Sequence, residues 1–213
     1  HRLRQRLGIA EETFFLVSVG ELNENKNHRI VLEALAKIRQ RKKDGLPIRY
    51  GICGDGFFRE RIEGWIREMG LADTVTLYGY CTNVPEILGC ADASVFPSRR
   101  EGLGMAGLES LAMGVPVIAA DNRGTREYME HGKNGYVCRW DDADGFARGI
   151  ETLRALSPQA RAAMAAHCRD TVRPFEKRYA GALMRRIYAD MERRIGEAEH
   201  EKQRIGQRHY GRV

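Results

Sequence analysis

The sequence has no apolar run long enough for a membrane helix. Its longest runs, such as Phe14–Val19, fall far short of the roughly 20 residues that such a helix requires. It also lacks a C-x-x-C pair and any cysteine or histidine cluster with the spacing of zinc ligands, and its five cysteines are an odd number. We therefore expect free thiols in a reducing cytoplasm and no metal site. The sequence begins at His1 without the pattern of a secretory leader, so we do not expect secretion, and we expect an upstream segment to be missing.

Two further absences narrow the class of ligand. The first strand-like run is not followed by G-x-G-x-x-G, which disfavours a dinucleotide such as NAD. Residues 1–174 carry a net charge of only +2 out of the chain's +6, without a basic and aromatic stripe, which argues against nucleic acid. In residues 175–213, ten Lys and Arg stand against six Asp and Glu. We expect this basic segment either as a solvated, salt-bridged helix or as a contact to an anionic membrane.

Short apolar runs alternate with amphipathic stretches along the chain, which is typical of an α/β fold with a parallel sheet. The apolar runs lie at Phe14–Val19, Ile48–Cys53, Val75–Leu77, Ala93–Phe96, Val117–Ala120 and Gly135–Val137. Later segments, at Pro158–Thr171 and Phe175–Ile195, have helical periodicity. We predict a Rossmann-like sheet of about six strands with helices on both faces over residues 13–156. C-terminal helices over 157–195 and a polar, frayed tail over 196–213 are predicted to follow.

Unusual residues cluster where four of the predicted strands end. They lie in Gly20–His28, Gly54–Gly56, Tyr78–Cys81 and Pro97–Gly104. In an open parallel sheet the carboxyl ends of the strands face the ligand crevice. Four such loops on one edge indicate a phosphate-bearing ligand.

Gly102 and Gly104 lead directly into a predicted helix. The core face of this helix is predicted to include Met105, Leu108, Leu111 and Ala112. Glycines before a helix allow a ligand to approach the backbone, and the free amides of its first turn favour a phosphate or a sugar oxygen. The alternative is that the glycines only form the turn.

Charged and titratable residues in this region have alternative interpretations. Glu109 lies in an almost apolar stretch, which predicts a carboxylate partly withdrawn from water that ribose hydroxyls would satisfy; the alternative is an exposed outer face. Lys26 is suited to neutralising a diphosphate as a point charge, or is simply solvated. A surface or capping role is expected for His28, His131 and His167, which have no recognisable partner.

The segment Glu101–Glu109 holds two glutamates separated by seven residues, with Pro97–Ser98 before it and Gly114–Val117 after it. This arrangement resembles the donor-site signature of the family-four retaining glycosyltransferases. Further pieces of the resemblance follow in the family's order over residues 12–155, at Ser18–Gly20, Lys26–His28, Gly54–Gly56, Ala91–Asp92, Gly124, Glu127 and Asn134–Gly135. Asp121–Glu127 and Gly20–Asn23 also look similar to bacterial enzymes of capsule or exopolysaccharide assembly.

The resemblance implies that the chain is the donor-binding half of a two-domain GT-B fold. Glu101 and the amides of Gly102–Gly104 would hold the donor sugar, Glu109 would bind the ribose, and Lys26 the diphosphate. The loop Tyr80–Val84 would meet the base, and Glu101 and Lys26 would be the catalytic residues. The implied donor contacts are Gly20, Lys26, Gly54, Gly56, Tyr80, Val84, Ser98, Glu101, Gly102, Leu103, Gly104 and Glu109.

The residue five positions before the loop lysine departs from the family pattern. An Arg usually stands there to help neutralise the diphosphate, whereas this chain has Glu21. Arg99, Arg100 or Arg123 would have to replace its charge, unless Glu21 points away. A non-catalytic nucleotide-sugar-binding module is therefore an alternative, and a GT-B-fold nucleotide-sugar epimerase is a second enzymatic one.

The resemblance also implies partners. The donor would be a nucleoside diphosphate sugar, UDP-linked, with no further cofactor. The acceptor, a saccharide or a lipid-linked saccharide, would be bound mainly by an N-terminal domain, with residues 1–12 as the linker from it. We expect a cytoplasmic protein, at the inner face of the membrane for a lipid-linked acceptor, and a chain that binds donor without transferring sugar alone.

Overall fold

The computed structural model describes residues 2–41 and 47–210, with side chains over 3–41 and 47–197. The strands of this part of the chain are β1 (Phe14–Val19), β2 (Ile48–Cys53), β3 (Val75–Gly79), β4 (Ala93–Phe96), β5 (Val117–Ala120) and β6 (Gly135–Cys138). Its α-helices are α1 (Arg2–Arg6), α2 (His28–Gln40), α3 (Arg59–Glu68), α4 (Val84–Leu88), α5 (Met105–Ala112), α6 (Ala143–Arg154), α7 (Pro158–Val172) and α8 (Lys177–Tyr210). Short 3₁₀ helices lie at Thr125–Glu127 and Arg173–Phe175.

The strands form one sheet in the order β3-β2-β1-β4-β5-β6, and every pair of neighbours is parallel. This is the strand order of the Rossmann fold, so the prediction of fold class is confirmed. The chain leaves β1 toward β2 and later returns to the other side of β1 with β4. The order therefore reverses between β1 and β4, which is where such sheets place their ligands.

Alternate residues of β1 pack on opposite faces of the sheet. Phe14 and Leu16 belong to a core that includes residues of α2, α3 and α6, whereas Phe15 and Val17 pack with residues of α1 and α4. A strand buried on both faces reads as a continuous apolar run, which is why Phe14–Val19 stands out in the sequence. The sheet thus has helices on both faces, as predicted.

The first compact unit of the chain spans His1–Val172 and differs from the predicted division after residue 156. Its last helix, α7, packs on α5, and Met164 and Cys168 of α7 are buried. Because these contacts tie α7 to the sheet domain, the domain ends later than the apolar periodicity of the strands indicates. Of the predicted linker 1–12, residue 1 lies outside the described part.

The second unit, Arg173–Val213, contains the second 3₁₀ helix and α8. α8 continues to Tyr210, so the helix does not end at the predicted boundary before Gly196; residues 211–213 of the predicted tail lie outside the described part. An apolar stripe along α8 is exposed: Tyr179, Leu183, Ile187, Tyr188 and Met191 are each between 44% and 58% exposed. None of the helices within 2–41 and 47–210 has both the length and the apolar character to span a membrane.

Candidate functional site

The loops that follow β1 and β4 lie side by side because their strands are neighbours in the sheet. Lys26 of the first loop and Glu101 of the second form an ion pair, with Nζ 2.6 Å from Oε1. Their side chains are only 21% and 15% exposed, so each charge is largely withdrawn from water and needs the other. The two residues predicted as catalytic thus form one charged pair where the strand order reverses.

Asparagines of the first loop fasten it to its neighbours. The Asn25 side chain accepts from the backbone N–H of Arg100 at 3.1 Å and donates to the Arg100 carbonyl at 3.0 Å. Asn27 has a left-handed backbone, with φ 51°, and donates from Nδ2 to the carbonyl of Trp140 at 2.8 Å. Sequence reasoning did not single out either residue. Asparagine is among the few residues that tolerate this conformation, which was the available signal.

The glycines of the loops after β1 and β2 allow two backbones to approach each other. A Cβ on Gly54 would overlap the carbonyl oxygen of Gly20, and one on Gly56 would lie 2.5 Å from the carbonyl oxygen of Leu22. The backbone N–H of Leu22 donates to the carbonyl of Asp55 at 3.0 Å, which holds the loops in this contact. Packing between the loops therefore explains Gly54 and Gly56 before any ligand is considered.

The start of α5 is positioned by glycine and tyrosine. Gly104 is left-handed, with φ 84°, and a Cβ there would lie 2.7 Å from the ring of Phe96. The Tyr128 hydroxyl donates to the Gly104 carbonyl at 3.2 Å. Burial, and secondly the carboxylate of Glu101, raise the pKa of Tyr128, so its phenol stays protonated and can keep donating. No atom lies within 4 Å of a Cβ built on exposed Gly102, which leaves its backbone open to a ligand.

The outer face of α5 differs from the prediction. Leu108 and Leu111 are buried, but Met105 is 60% exposed and Ala112 is exposed, so these two do not belong to the core face. Glu109 is exposed as well, and the expectation of a carboxylate withdrawn from water is wrong. A helix of eight residues presents a narrow buried face, and the largely apolar sequence concealed which residues lie on it. The assignment of Glu109 to a ribose stays a prediction.

A cleft of about 380 Å³ opens between the loops after β1, β2 and β3. Four of the predicted donor contacts line it: Gly20, Gly54, Tyr80 and Val84. Tyr80 is 83% exposed, so most of its surface is available to a flat ligand. Glu21 lines the same cleft and is held by a hydrogen bond from Nδ2 of Asn23 to its Oε2 at 3.0 Å. Glu21, which stands where the family usually has an Arg, therefore lies beside the predicted base-binding loop.

The three candidate replacement cations have different surroundings. Arg99 forms an ion pair with Glu24 at 2.9 Å and lies over the ring of Trp140, 5.0 Å from its centroid. Its charge is thus already engaged away from Glu101. Arg100 and Arg123 are exposed. They stay candidates for neutralising a diphosphate in place of the usual arginine.

The remaining predicted contacts contribute backbone or packing rather than open side chains. Ser98 is wholly buried, and its carbonyl accepts from Nδ2 of Asn122 at 2.9 Å. Leu103 is half-buried and packs against the main core. A Cβ on Gly124 would lie 3.0 Å from the Cβ of Glu101, so the loop after β5 presses on the glutamate's segment. This contact explains why a glycine follows β5.

His28 begins α2 and is only 3% exposed, so the predicted surface or capping role is wrong for this residue. Its Nδ1 lies 3.4 Å from the hydroxyl of Tyr50, which is 2.7 Å from Oγ of Ser18. Ser18 in turn donates to the carbonyl of Val95 at 2.7 Å, linking β1 to β4. Burial, and secondly the charge of Lys26, lower the pKa of His28 to about 4. The ring is therefore neutral at pH 7.

The buried neutral ring makes stability depend on pH. The folded-state pKa of His28 is lowered from 6.5 to about 4. The contribution of the neutral ring to the free energy of unfolding is therefore fully present above pH 6.5 and is lost as the pH falls toward 4. Between pH 6.5 and 5 we expect the free energy of unfolding to fall by about 1.5 kcal/mol more in the wild type than in His28→Gln. Urea unfolding of both proteins at the two pH values measures this difference. His131→Gln, the same substitution at an exposed histidine, serves as the control. Equal losses of unfolding free energy for the wild type and His28→Gln would contradict the prediction.

The family model described as "Glycosyl transferases group 1" matches residues 1–169. The chain belongs to this family. The prediction of a retaining GT-B-type relative, made from the two glutamates and the ordered loops, is thereby confirmed at the level of the family and its fold.

Two curated relatives of this group 1 glycosyltransferase chain come from bacteria. EpsD of Bacillus subtilis, which carries a provisional glycosyltransferase name, is 39% identical over 153 residues, covering 71% of this chain and 39% of that protein. The lipopolysaccharide core biosynthesis glycosyltransferase LpsE of Rhizobium meliloti is 31% identical over 153 residues, covering 71% of this chain and 43% of that protein. The chain thus spans less than half the length of these relatives.

Solved structures of similar fold include one protein in complex with UDP and with UDP-glucose. Anabaena Alr3699/HepE in complex with UDP superposes with a TM-score of 0.79 at 24% identity, covering 89% of this chain and 52% of that one. Its complex with UDP-glucose gives a TM-score of 0.75 at 25% identity, with coverage of 86% and 51%. The similarity establishes that the group 1 domain has the GT-B half-fold.

Proposed function

We propose that this chain binds a nucleoside diphosphate sugar between β1 and β4 and forms the donor half of a retaining glycosyltransferase. The observation that carries the proposal is the Lys26–Glu101 pair, which lies where the strand order reverses and joins the loop after β1 to the loop that leads into α5. An ammonium group and helix-end amides both favour the negative charge that develops on a departing diphosphate. The family match and the names of the relatives support this reading.

Lys26 would contact the diphosphate while staying near Glu101. An ammonium group has three donors, and the described structure uses one of them on Oε1 of Glu101. The remaining donors can serve phosphate oxygens without breaking the ion pair. The diphosphate would thus add to a charge already held in place, which lowers the entropic cost of binding.

Glu101 would accept hydrogen bonds from hydroxyls of the donor sugar. Its carboxylate is fixed by Lys26, and the open backbone of Gly102 leaves space for a sugar beside it. As the bond from the anomeric carbon to the diphosphate oxygen breaks, this carbon gains oxocarbenium character. The acceptor hydroxyl oxygen bonds to it on the same face, and the hydroxyl proton passes to the departing diphosphate. Glu101 and Lys26 act in this scheme by orientation and charge.

The base would lie in the cleft formed by Tyr80, Val84 and the glycines of the neighbouring loops. A UDP-linked donor is supported by the solved complexes of Anabaena HepE with UDP and UDP-glucose, which share the fold. Exposed Glu109 on α5 would accept from the ribose hydroxyls.

Glu21 supports one alternative, a nucleotide-sugar-binding module without transfer. A carboxylate that lines the base cleft places negative charge near the diphosphate and lowers its affinity. In the longer protein, release of nucleoside diphosphate only in the presence of acceptor would exclude this alternative, and would also exclude an epimerase.

The acceptor and location belong to the same proposal. A saccharide or lipid-linked acceptor is supported by the polysaccharide relatives. A cytoplasmic location is supported by five cysteines that all have free thiols. Peripheral contact with an anionic membrane is supported by the exposed apolar stripe of α8 and the basic residues around it.

Substitution of the two glutamates tests the donor assignment. Glu109→Gln should weaken binding of UDP and UDP-glucose alike, by about 1–2 kcal/mol, because the ribose is common to both. Glu101→Gln should leave UDP affinity nearly unchanged and weaken only UDP-glucose. Isothermal titration calorimetry of both ligands against both variants measures the four values.

The same substitution at Glu68, which is exposed at the far end of α3, is the matched control. It should change neither affinity. Identical profiles for Glu101→Gln and Glu109→Gln would refute the separate roles, and no effect from either would return both glutamates to a structural interpretation.

A further inference from the structure

A second groove, of about 590 Å³, runs along α2 and is lined by neither Lys26 nor Glu101. Its volume is in the range of small-molecule sites. Both tryptophans of the chain line it, Trp65 from α3 and Trp140 from the segment after β6, together with Phe58. The groove is also lined by Glu24 and Arg99 of the loops after β1 and β4, but its three aromatic rings come from outside those loops, and the donor chemistry does not use them.

Each of these rings carries an arginine. The guanidinium of Arg29 lies 5.4 Å from the ring centroid of Trp65, that of Arg61 lies 5.0 Å from Phe58, and that of Arg99 lies 5.0 Å from Trp140. Carboxylates hold two of the arginines: Arg29 pairs with Glu33 and Arg99 with Glu24, both at 2.9 Å. Arg29 and Arg99 thus each lie between an aromatic ring and a carboxylate.

The charges of the groove balance. Its lining has three arginines, Arg29, Arg61 and Arg99, and three carboxylates, Glu24, Glu33 and Asp141. A site for a nucleoside diphosphate or another anion would carry net positive charge, and this groove does not. What it offers is aromatic surface partly covered by arginines, with both hydrogen-bond donors and acceptors around it. This combination suits the apolar faces and hydroxyl rims of uncharged sugar rings.

Trp140 provides the most accessible ring surface. It is 43% exposed although Arg99 lies over its ring. Its backbone carbonyl accepts from Nδ2 of Asn27, so the residue is anchored independently of its side chain. An anchored, part-exposed indole is a platform on which a sugar ring can stack at low entropic cost.

We propose that this groove is a binding site for a neutral oligosaccharide, separate from the donor site. The ligand's rings lie across Trp140 and toward Trp65, and its hydroxyls bond to the arginines and carboxylates of the rim. The proposal rests on the groove alone and does not depend on the assignment of donor binding to Lys26 and Glu101.

The two tryptophans make a direct test available. In a ¹H–¹⁵N correlation spectrum the chain has two indole Nε1–H signals, and both report on this groove. Titration with maltotriose, cellotriose and triacetylchitotriose should shift both signals for at least one trisaccharide. Trp140→Ala should weaken that binding at least tenfold, followed on the Trp65 signal. Arg61→Gln, at an exposed residue on the groove's rim, should weaken it at least threefold.

Phe57→Ala is the matched control, because Phe57 is 79% exposed and adjoins Phe58 but does not line the groove. Its affinity for the trisaccharide should stay within twofold of the wild type. Absence of shifts with all three trisaccharides would overturn the proposal, as would undiminished binding by both groove variants. Competition of UDP for the same indole shifts would also overturn it, since the groove would then be a nucleotide site.

Discussion

Gly54→Ala is expected to lower the free energy of unfolding by about 3–4 kcal/mol, through backbone strain and overlap with the neighbouring loop. The φ of Gly54 is +151°, which residues with a side chain rarely adopt. Its new Cβ would also meet the carbonyl oxygen of Gly20, an atom of the backbone that cannot rotate away. Urea denaturation of the variant and the wild type measures the loss.

Gly64→Ala is the control for this substitution. Gly64 lies within α3, and no atom is within 4 Å of a Cβ built there. Alanine should stabilise the protein by about 0.5–1 kcal/mol at this position, because it reduces the freedom of the unfolded chain and favours the helix. If Gly54→Ala has the same midpoint of urea unfolding as the wild type, the close contact between the two loops is not required for stability.

Lys26→Met is expected to weaken UDP binding by about 1.5–3 kcal/mol, or roughly 10- to 150-fold, while leaving uridine binding nearly unchanged. The reason is that a charge-assisted contact to the diphosphate is lost, whereas the base and the ribose do not touch this side chain. Isothermal titration calorimetry with both ligands measures the two changes. Equal losses for uridine and UDP would move the diphosphate toward Arg100 or Arg123.

Measuring the free energy of unfolding of Lys26→Met separates its effect on binding from its effect on folding. Lys26→Met leaves the Glu101 carboxylate, 15% exposed, without its partner, and this should destabilise the fold. Adding Glu101→Gln removes the unpaired charge and should restore part of the lost stability. Lys37→Met is the matched control, since the Lys37–Asp144 pair at 2.7 Å is about 40% exposed and contributes little. It should leave UDP affinity unchanged.

The strands were predictable because each contains an apolar run, and β1, β4 and β5 are buried on both faces. Four of the six predicted strands coincide with the structure, and β3 and β6 extend slightly beyond Leu77 and Val137. Burial on both sides leaves few other interpretations for such short segments. Strand bounds therefore followed from composition for the four inner strands, but not for the edge strands β3 and β6.

Helix faces and single polar residues were less predictable. Glu109 and Met105 lie on the exposed side of α5, because a short, nearly apolar helix has no clear polar stripe from which to read its orientation. His28 is buried because β2 places Tyr50 next to the start of α2, and these residues are 22 positions apart in the chain. Periodicity within one segment carries no information about such a neighbour.

The sequence by itself determined the order of strands and helices, the family, and the four loops in which donor contacts were to be sought. Each of these depends on residues that are close together in the chain. Only the tertiary structure decided that Lys26 and Glu101, 75 residues apart, form a pair, and that Trp65 and Trp140 face one groove. The physical reason is that the parallel sheet brings these segments together through strand pairing and helix packing, and the resulting distances are set by the whole fold rather than by any local pattern.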